Sequence, residues 1–231
     1  MKNAPIHRWD LTTKEAKIIQ TNLAENVCNI DQLSTVKLIA GTDVGFEANN
    51  TITRAAVIIL SFPELKLVEY QIAKRPTTFA YIPGYLSFRE CPALLDAMEQ
   101  LQRTPDLILC DGQGIAHPRR FGIACHLGVL TGIPTIGVAK SRLLGKHKEV
   151  GIQKGDWQAL IDKGETIGAV LRTRDNINPL FISPGHKISL QTSIDYVLRC
   201  TTRYRLPETT RWADGIASAR PTFIKKLGIK N

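Results

Sequence analysis

Two strand-length apolar runs, Thr53 to Ser61 and Leu65 to Ala73, are separated only by Phe62-Pro63-Glu64. A link that short can join only antiparallel neighbours. A third run, Lys37 to Gly45, precedes them, so the sheet opens with three antiparallel strands. The pattern then changes. Leu107 to Cys110 is continuously apolar, as in a parallel strand covered on both faces. It lies between two helical patterns, one with apolar positions Cys91, Leu94, Leu95, Met98 and Leu101, the other from Phe121 to Leu130. Pro134 to Ala139 reads as a fifth strand. This order predicts an α/β fold, a mixed five-stranded sheet flanked by helices.

Thr12-x-x-Glu15 forms a capping-box pattern ahead of Ala16, Ile19, Leu23 and Val27, which predicts an opening amphipathic helix. Further on, TIGAVLR and PLFIS predict a peripheral strand pair, and Ser193 to Cys200 and Thr210 to Ala219 two helices. No linker, repeat or low-complexity tract divides the 231 residues, so a single domain over 1–231 is expected. The start, MKNAPIHRWD, has no apolar leader core, and no run of about 20 apolar residues occurs, so secretion and membrane spanning are not expected and a cytoplasmic location is. The odd number of cysteines, five, with no CxxC pair predicts buried thiols rather than disulfides or zinc.

Three acids sit where apolar runs end or a helix begins: Asp43 in LIAGTDVGF, Asp111 in LILCDGQG and Glu90 in YIPGYLSFRE. Carboxylates brought within about 4 Å repel by roughly 4 kcal/mol at an effective dielectric near 20, so a cluster of them requires protons or a cation. A divalent cation would also supply the means of hydrolysing a phosphodiester. Each acid has a plainer reading. Asp43 fits a strand-end turn with Gly45, Asp111 an Asp-Gly turn, and Glu90 a capping box with Ser87. Pro92 argues against the last, since it predicts a helix starting nearer Pro92 and leaves Glu90 free at its mouth. Asp214, in RWADGIAS, is either a solvated acid in a helix first turn or a fourth carboxylate carried to the cluster.

Lys and Arg number 30 against 21 Asp and Glu, a net charge of +9, which points to a polyanionic partner. The basic residues gather after Asp111: His117-Pro118-Arg119-Arg120, then Lys140, Arg142, Lys146 and Lys148. His117 is placed to contact phosphate or assist proton transfer and Lys140 to steady the attacked phosphate. Lys146 and Lys148 read as general backbone contacts, and His126, within FGIACHLGVL, as a packed core histidine. In Tyr81-Ile82-Pro83-Gly84-Tyr85, proline and glycine fit the central positions of a type II turn with a tyrosine at each edge. Such a turn is either an ordinary surface corner or a rigid aromatic wedge able to enter a base stack.

The segments GTDVGF, IPGYLSFRE, DGQGIAHPRRFGIACHLGVL, PTIGVAKSRL and RYRLPETTRWAD, in order from about Leu38 to Arg220, resemble the endonuclease V family. The resemblance implies a ribonuclease H-like fold and a repair nuclease dependent on magnesium, with manganese as substitute. Its substrate would be DNA containing deaminated bases, above all deoxyinosine, with inosine-containing RNA as a second candidate, and it would cut the second phosphodiester bond 3′ to the lesion. By motif, Asp43, Glu90 and Asp111 correspond to metal-binding acids and Asp214 to a further position of the C-terminal helix, at which some other members carry histidine. Tyr81, Ile82, Pro83 and Gly84 correspond to a strand-separating wedge; Gly84, Leu86 and Gly112 to the lining of a pocket for the flipped base; His117 and Lys140 to the remaining polar positions. Gln113 departs from the histidine or asparagine expected there. A monomer is expected. Against this stand a ribonuclease H-like enzyme of other preference and a catalytically silent nucleic-acid binder.

Overall fold

The Thr12 hydroxyl accepts a hydrogen bond from the Glu15 amide at 3.3 Å, and the Glu15 carboxylate accepts one from the Thr12 amide at 2.8 Å, closing the expected capping box at the start of α1 (Thr13–Ala24). The computed structural model that contains it describes residues 7–228; residues 1–6, which open the MKNAPIHRWD segment, lie outside it.

Strands β1 (Leu38–Glu47), β2 (Ile52–Ser61) and β3 (Leu67–Pro76) are antiparallel, as the short link requires. After α2 (Leu86–Glu99), β4 (Leu107–Asp111) pairs parallel with β1, and after α3 (Ile123–Thr131), β5 (Thr135–Ala139) pairs parallel with β4. The strands β6 (Trp157–Asp162), β7 (Glu165–Leu171) and β8 (Leu180–His186) then extend the sheet antiparallel from β5. The sheet thus has eight strands in the order β3-β2-β1-β4-β5-β8-β7-β6. The five expected strands form one continuous part of it. The strand pair read from TIGAVLR and PLFIS is β7 and β8, joined to that part rather than separate from it, and β6 carried no apolar run that marked it.

Alternate residues of the central strands enter different cores. Ile39, Ile58, Leu109 and Val138 pack with α4 (Leu190–Arg199) and α5 (Glu208–Ala217) on one face, whereas Ala40, Val57, Ile59 and Ile108 pack with α2 and α3 on the other. Burial on both faces is why these strands are continuously apolar. A short α6 (Pro221–Lys226) follows α5. Among the described residues no helix is long and apolar enough to cross a membrane. The cysteines are all unpaired, and Cys91, Cys110, Cys125 and Cys200 are buried.

Candidate active site

In the parallel ladder Thr42 of β1 lies opposite Cys110 of β4, so Asp43 and Asp111, one residue further along each strand, stand side by side at their carboxyl ends. Period-two alternation puts both on the face covered by α5. That helix approaches unusually closely. A β-carbon on Gly41 would stand 2.2 Å from the Thr209 carbonyl oxygen, and one on Gly45 2.4 Å from that of Ala217. Between these two contacts α5 delivers Asp214, and carboxylate oxygens of Asp43, Asp111 and Asp214 all lie within 4.8 Å of one another.

Lys140, at the end of β5, ion-pairs with Asp111 and reaches Asp214 Oδ1 at 3.1 Å. Arg220 Nη2 lies 2.6 Å from Asp214 Oδ2. Two cations therefore face three carboxylates. Burial, then the charge of Asp111, raises the Asp43 carboxyl to about 8, and burial also raises Asp111. Three carboxylate groups, an all-oxygen donor set already strained toward protonation, fit a hard divalent cation.

Glu90 enters differently from expectation. Helix α2 begins at Leu86 with Tyr85 as its N-cap and runs through Pro92, so Glu90 lies inside the helix, not free at its mouth. Pro92 is accommodated in the helix interior, where it lacks an amide donor. Ser87 does not cap the helix; its hydroxyl bonds His126 Nδ1 at 3.0 Å. Helix α2 packs on the opposite face of the sheet from α5; Glu90 lines the same cavity as Asp43 and Asp111 but stands outside the tight cluster, whose third place Asp214 takes. Glu90 is 8 % exposed, and burial followed by the Asp43 and Asp111 charges holds its carboxyl well above the usual range.

A cavity of about 400 Å³ opens beside the acids. Its walls combine Asp43, Glu90, Asp111 and Lys140 with Tyr81, Ile82, Pro83, Gly84, Leu86, Gly112 and His117. The expected tight turn is present: the Tyr85 amide donates to the Ile82 carbonyl at 3.0 Å, and Gly84 has φ +82°. Tyr81, at its leading edge, is 70 % exposed. His117 is directed at this turn: its Nε2 donates to the Gly84 carbonyl at 3.0 Å, and burial, aided by Arg119, lowers it to about 4. Gln113 also lines the cavity, its amide donating to the Ser141 carbonyl at 3.1 Å.

His126 is fully buried beside Phe88 and Phe121, as a core residue should be. Arg120 is committed to the β6–β7 hairpin, pairing with Asp162 at 2.9 Å and Glu165 at 2.7 Å. Sequence reasoning missed Gln20 and Arg220. Gln20 was legible, since it shares the inward face of α1 with Ala16 and Leu23; Arg220, in the turn after α5, had no local signal.

Carboxylates on adjacent ends of two parallel strands of a mixed sheet, a third acid on a crossing helix and basic side chains beside them give this ribonuclease H-like fold an acidic cluster that could hold a metal ion. Residues 21–215 match the model of the Endonuclease V family, and the chain belongs to that family. It is 63 % identical over 215 residues to Endonuclease V of Trichormus variabilis, covering 93 % of this chain and 97 % of that one. The crystal structure of Endonuclease V from Streptomyces avermitilis superposes with a TM-score of 0.87 at 37 % identity, covering 95 % of this chain and 96 % of that one. Ciona intestinalis Endonuclease V (D234N), solved in complex with a 23mer DNA containing an inosine followed by a ribo-adenosine, superposes with a TM-score of 0.80 at 30 % identity, covering 94 % and 100 %.

Proposed function

We propose that this chain is a repair endonuclease that recognises deaminated bases in DNA, above all hypoxanthine in deoxyinosine, and hydrolyses the second phosphodiester bond on the 3′ side of the lesion. The observation that carries this reading is that one cavity is lined both by the aromatic turn, Tyr81 to Gly84, and by the acids Asp43, Glu90 and Asp111. A relative bound to inosine-containing DNA supports the choice of lesion.

Asp43, Asp111 and Asp214 would hold the metal, with Glu90 beside them in the same cavity. Bound there, magnesium, or manganese in its place, would supply positive charge against the charge that develops on the attacked phosphate and would favour ionisation of the attacking water. Lys140 neutralises part of the acid cluster and stands ready to receive a non-bridging phosphate oxygen. Water's oxygen bonds to phosphorus as the bond to the 3′ oxygen breaks, leaving 3′-hydroxyl and 5′-phosphate ends. Tyr81 enters the base stack while the lesion base turns out into the space lined by Gly84, Leu86 and Gly112. His117 is uncharged at neutral pH and holds the turn rather than moving a proton at the acids.

The test is cleavage of an end-labelled duplex carrying one deoxyinosine, with and without magnesium, beside an unmodified duplex and Asp43→Ala. A magnesium-dependent nick one nucleotide beyond the lesion, absent from both controls, is expected. Equal cleavage of the unmodified duplex would remove the lesion specificity, and preference for an inosine-containing RNA would redirect the reading to RNA.

A further inference from the structure

The Gly84 carbonyl oxygen accepts three hydrogen bonds: from Gln20 Nε2 at 3.1 Å, His117 Nε2 at 3.0 Å and Arg119 Nη2 at 2.6 Å. A carbonyl carries two lone pairs, so this oxygen is saturated and has nothing left to offer a ligand. The donors are themselves interlocked. Gln20 Oε1 accepts from Arg119 Nε at 2.6 Å, and the Arg119 amide donates to His117 Nδ1 at 3.2 Å, which leaves the His117 hydrogen on Nε2. The Arg119 guanidinium lies 4.3 Å above the Tyr85 ring.

Gln20 is the least expected member. It is 1 % exposed, on the core face of α1, and a buried amide is costly unless its polar atoms are satisfied. Among the described residues its side chain bonds the Gly84 carbonyl and the Arg119 Nε, both at the turn, and more loosely the Phe121 carbonyl at 3.4 Å. It also lies just before the span matched by the family model, which begins at residue 21.

We propose that Gln20 is a positioning residue for lesion recognition: through the Gly84 carbonyl it ties the turn from Tyr81 to Tyr85 to α1, so that Tyr81 meets the base stack from a fixed place. This rests on reading the cavity as a base pocket. An immobile wedge pays its ordering cost during folding instead of during binding, so the benefit falls on substrate capture. The saturated carbonyl adds a corollary: Gly84 shapes the pocket without accepting a hydrogen bond from the base.

The test uses Gln20→Met, which keeps the length of the side chain and removes its donor and acceptor. Amide hydrogen exchange across residues 81–85 in the free protein reads the tether without any substrate and should quicken. With the deoxyinosine duplex, KM should rise about five- to tenfold, the scale of one buried hydrogen bond, with kcat changed less than about twofold. In a Tyr81→Ala background the same substitution should add no further rise in KM. Unchanged exchange, or equal losses in KM and kcat in both backgrounds, would overturn the proposal. If Gln20→Met does not fold, Gln20→Glu, which keeps the side-chain shape and the acceptor for Arg119 but removes the donor to Gly84, gives the same readouts. A wild type that cut lesion and unmodified duplexes alike would overturn the recognition role together with the parent reading. Wild-type discrimination beside an unmoved variant would overturn the role of Gln20 alone.

Discussion

Gly41 of β1 lies against the backbone of Thr209 in α5 so closely that a β-carbon would stand 2.2 Å from the Thr209 carbonyl oxygen. This contact and the matching one of Gly45 with Ala217 bracket Asp43 on the strand and Asp214 on the helix. The acids therefore meet because two residues without side chains let a helix settle onto a strand. The cluster is a consequence of backbone packing before it is a matter of charge.

Gly41→Ala should displace α5 or strain β1. Overpacking of this kind costs about 1–3 kcal/mol, and the outward movement of Asp214 should weaken divalent-cation binding. Urea denaturation reads the first effect, and the magnesium concentration that gives half of the rise in melting temperature reads the second. A variant with wild-type stability and an unaltered magnesium midpoint would show that α5 is not held in this way.

The same crowding predicts a pH dependence of stability. Asp43 is raised to about 8 from an ordinary value of 3.8, by burial and then by Asp111. Between those values the folded, metal-free protein keeps a proton that the unfolded chain releases, so its stability falls as pH rises. The buried His117 and His126 act oppositely below about 6.5, because the fold keeps them neutral. The clear window therefore runs from about 6.5 to about 8. In EDTA the melting temperature should fall across it; saturating magnesium should abolish the fall, and Asp43→Asn should reduce it. A flat profile in EDTA would mean that the acids are ionised without a cation.

The central sheet was legible because its strands are apolar on both faces, and the short link after Ser61 left one pairing for β2 and β3. Glu90 was misplaced by a rule correct on average: a proline usually marks a helix start, but here Pro92 lies inside α2, a helix whose residues Phe88, Cys91, Pro92 and Leu94 are all buried. Asp214 was ambiguous because only the approach of α5 to Gly41 and Gly45 gives it a destination, and that is a long-range fact. Arg120 counted only as one charge of the basic cluster after Asp111, because its partners, Asp162 and Glu165, lie 42 and 45 residues away.

Tyr81→Ala should separate recognition from chemistry. The ring is 70 % exposed, so its loss should leave the fold and the magnesium-dependent rise in melting temperature unchanged. Stacking on a nucleic-acid base is worth about 1–3 kcal/mol, so affinity for the deoxyinosine duplex should drop roughly tenfold or more. Fluorescence anisotropy with a labelled duplex, beside the thermal titration, decides the matter. Equal loss of DNA affinity and metal response would show that the turn and the acids form one unit.

The loop that leaves Lys140 carries Ser141, Arg142 and Leu143 along the first cavity and then Lys146, His147 and Lys148 along a second, open groove of about 800 Å³ that Lys163 lines from the β6–β7 hairpin. Among the described residues Lys146, Lys148 and Lys163 enter no ion pair, whereas the nearby Arg120 is occupied by Asp162 and Glu165. Free ammonium groups on a track leading away from the acid-lined cavity are suited to phosphates of a bound duplex beyond that cavity. Each phosphate contact with duplex DNA contributes about 0.9 to the slope of log affinity against log salt. Replacing all three lysines by alanine should therefore lower that slope by about two to three and weaken lesion and unmodified duplexes alike, with discrimination between them retained. An unchanged slope would mean that the duplex does not follow this loop, and a selective loss for the lesion duplex would place these lysines at the base pocket instead.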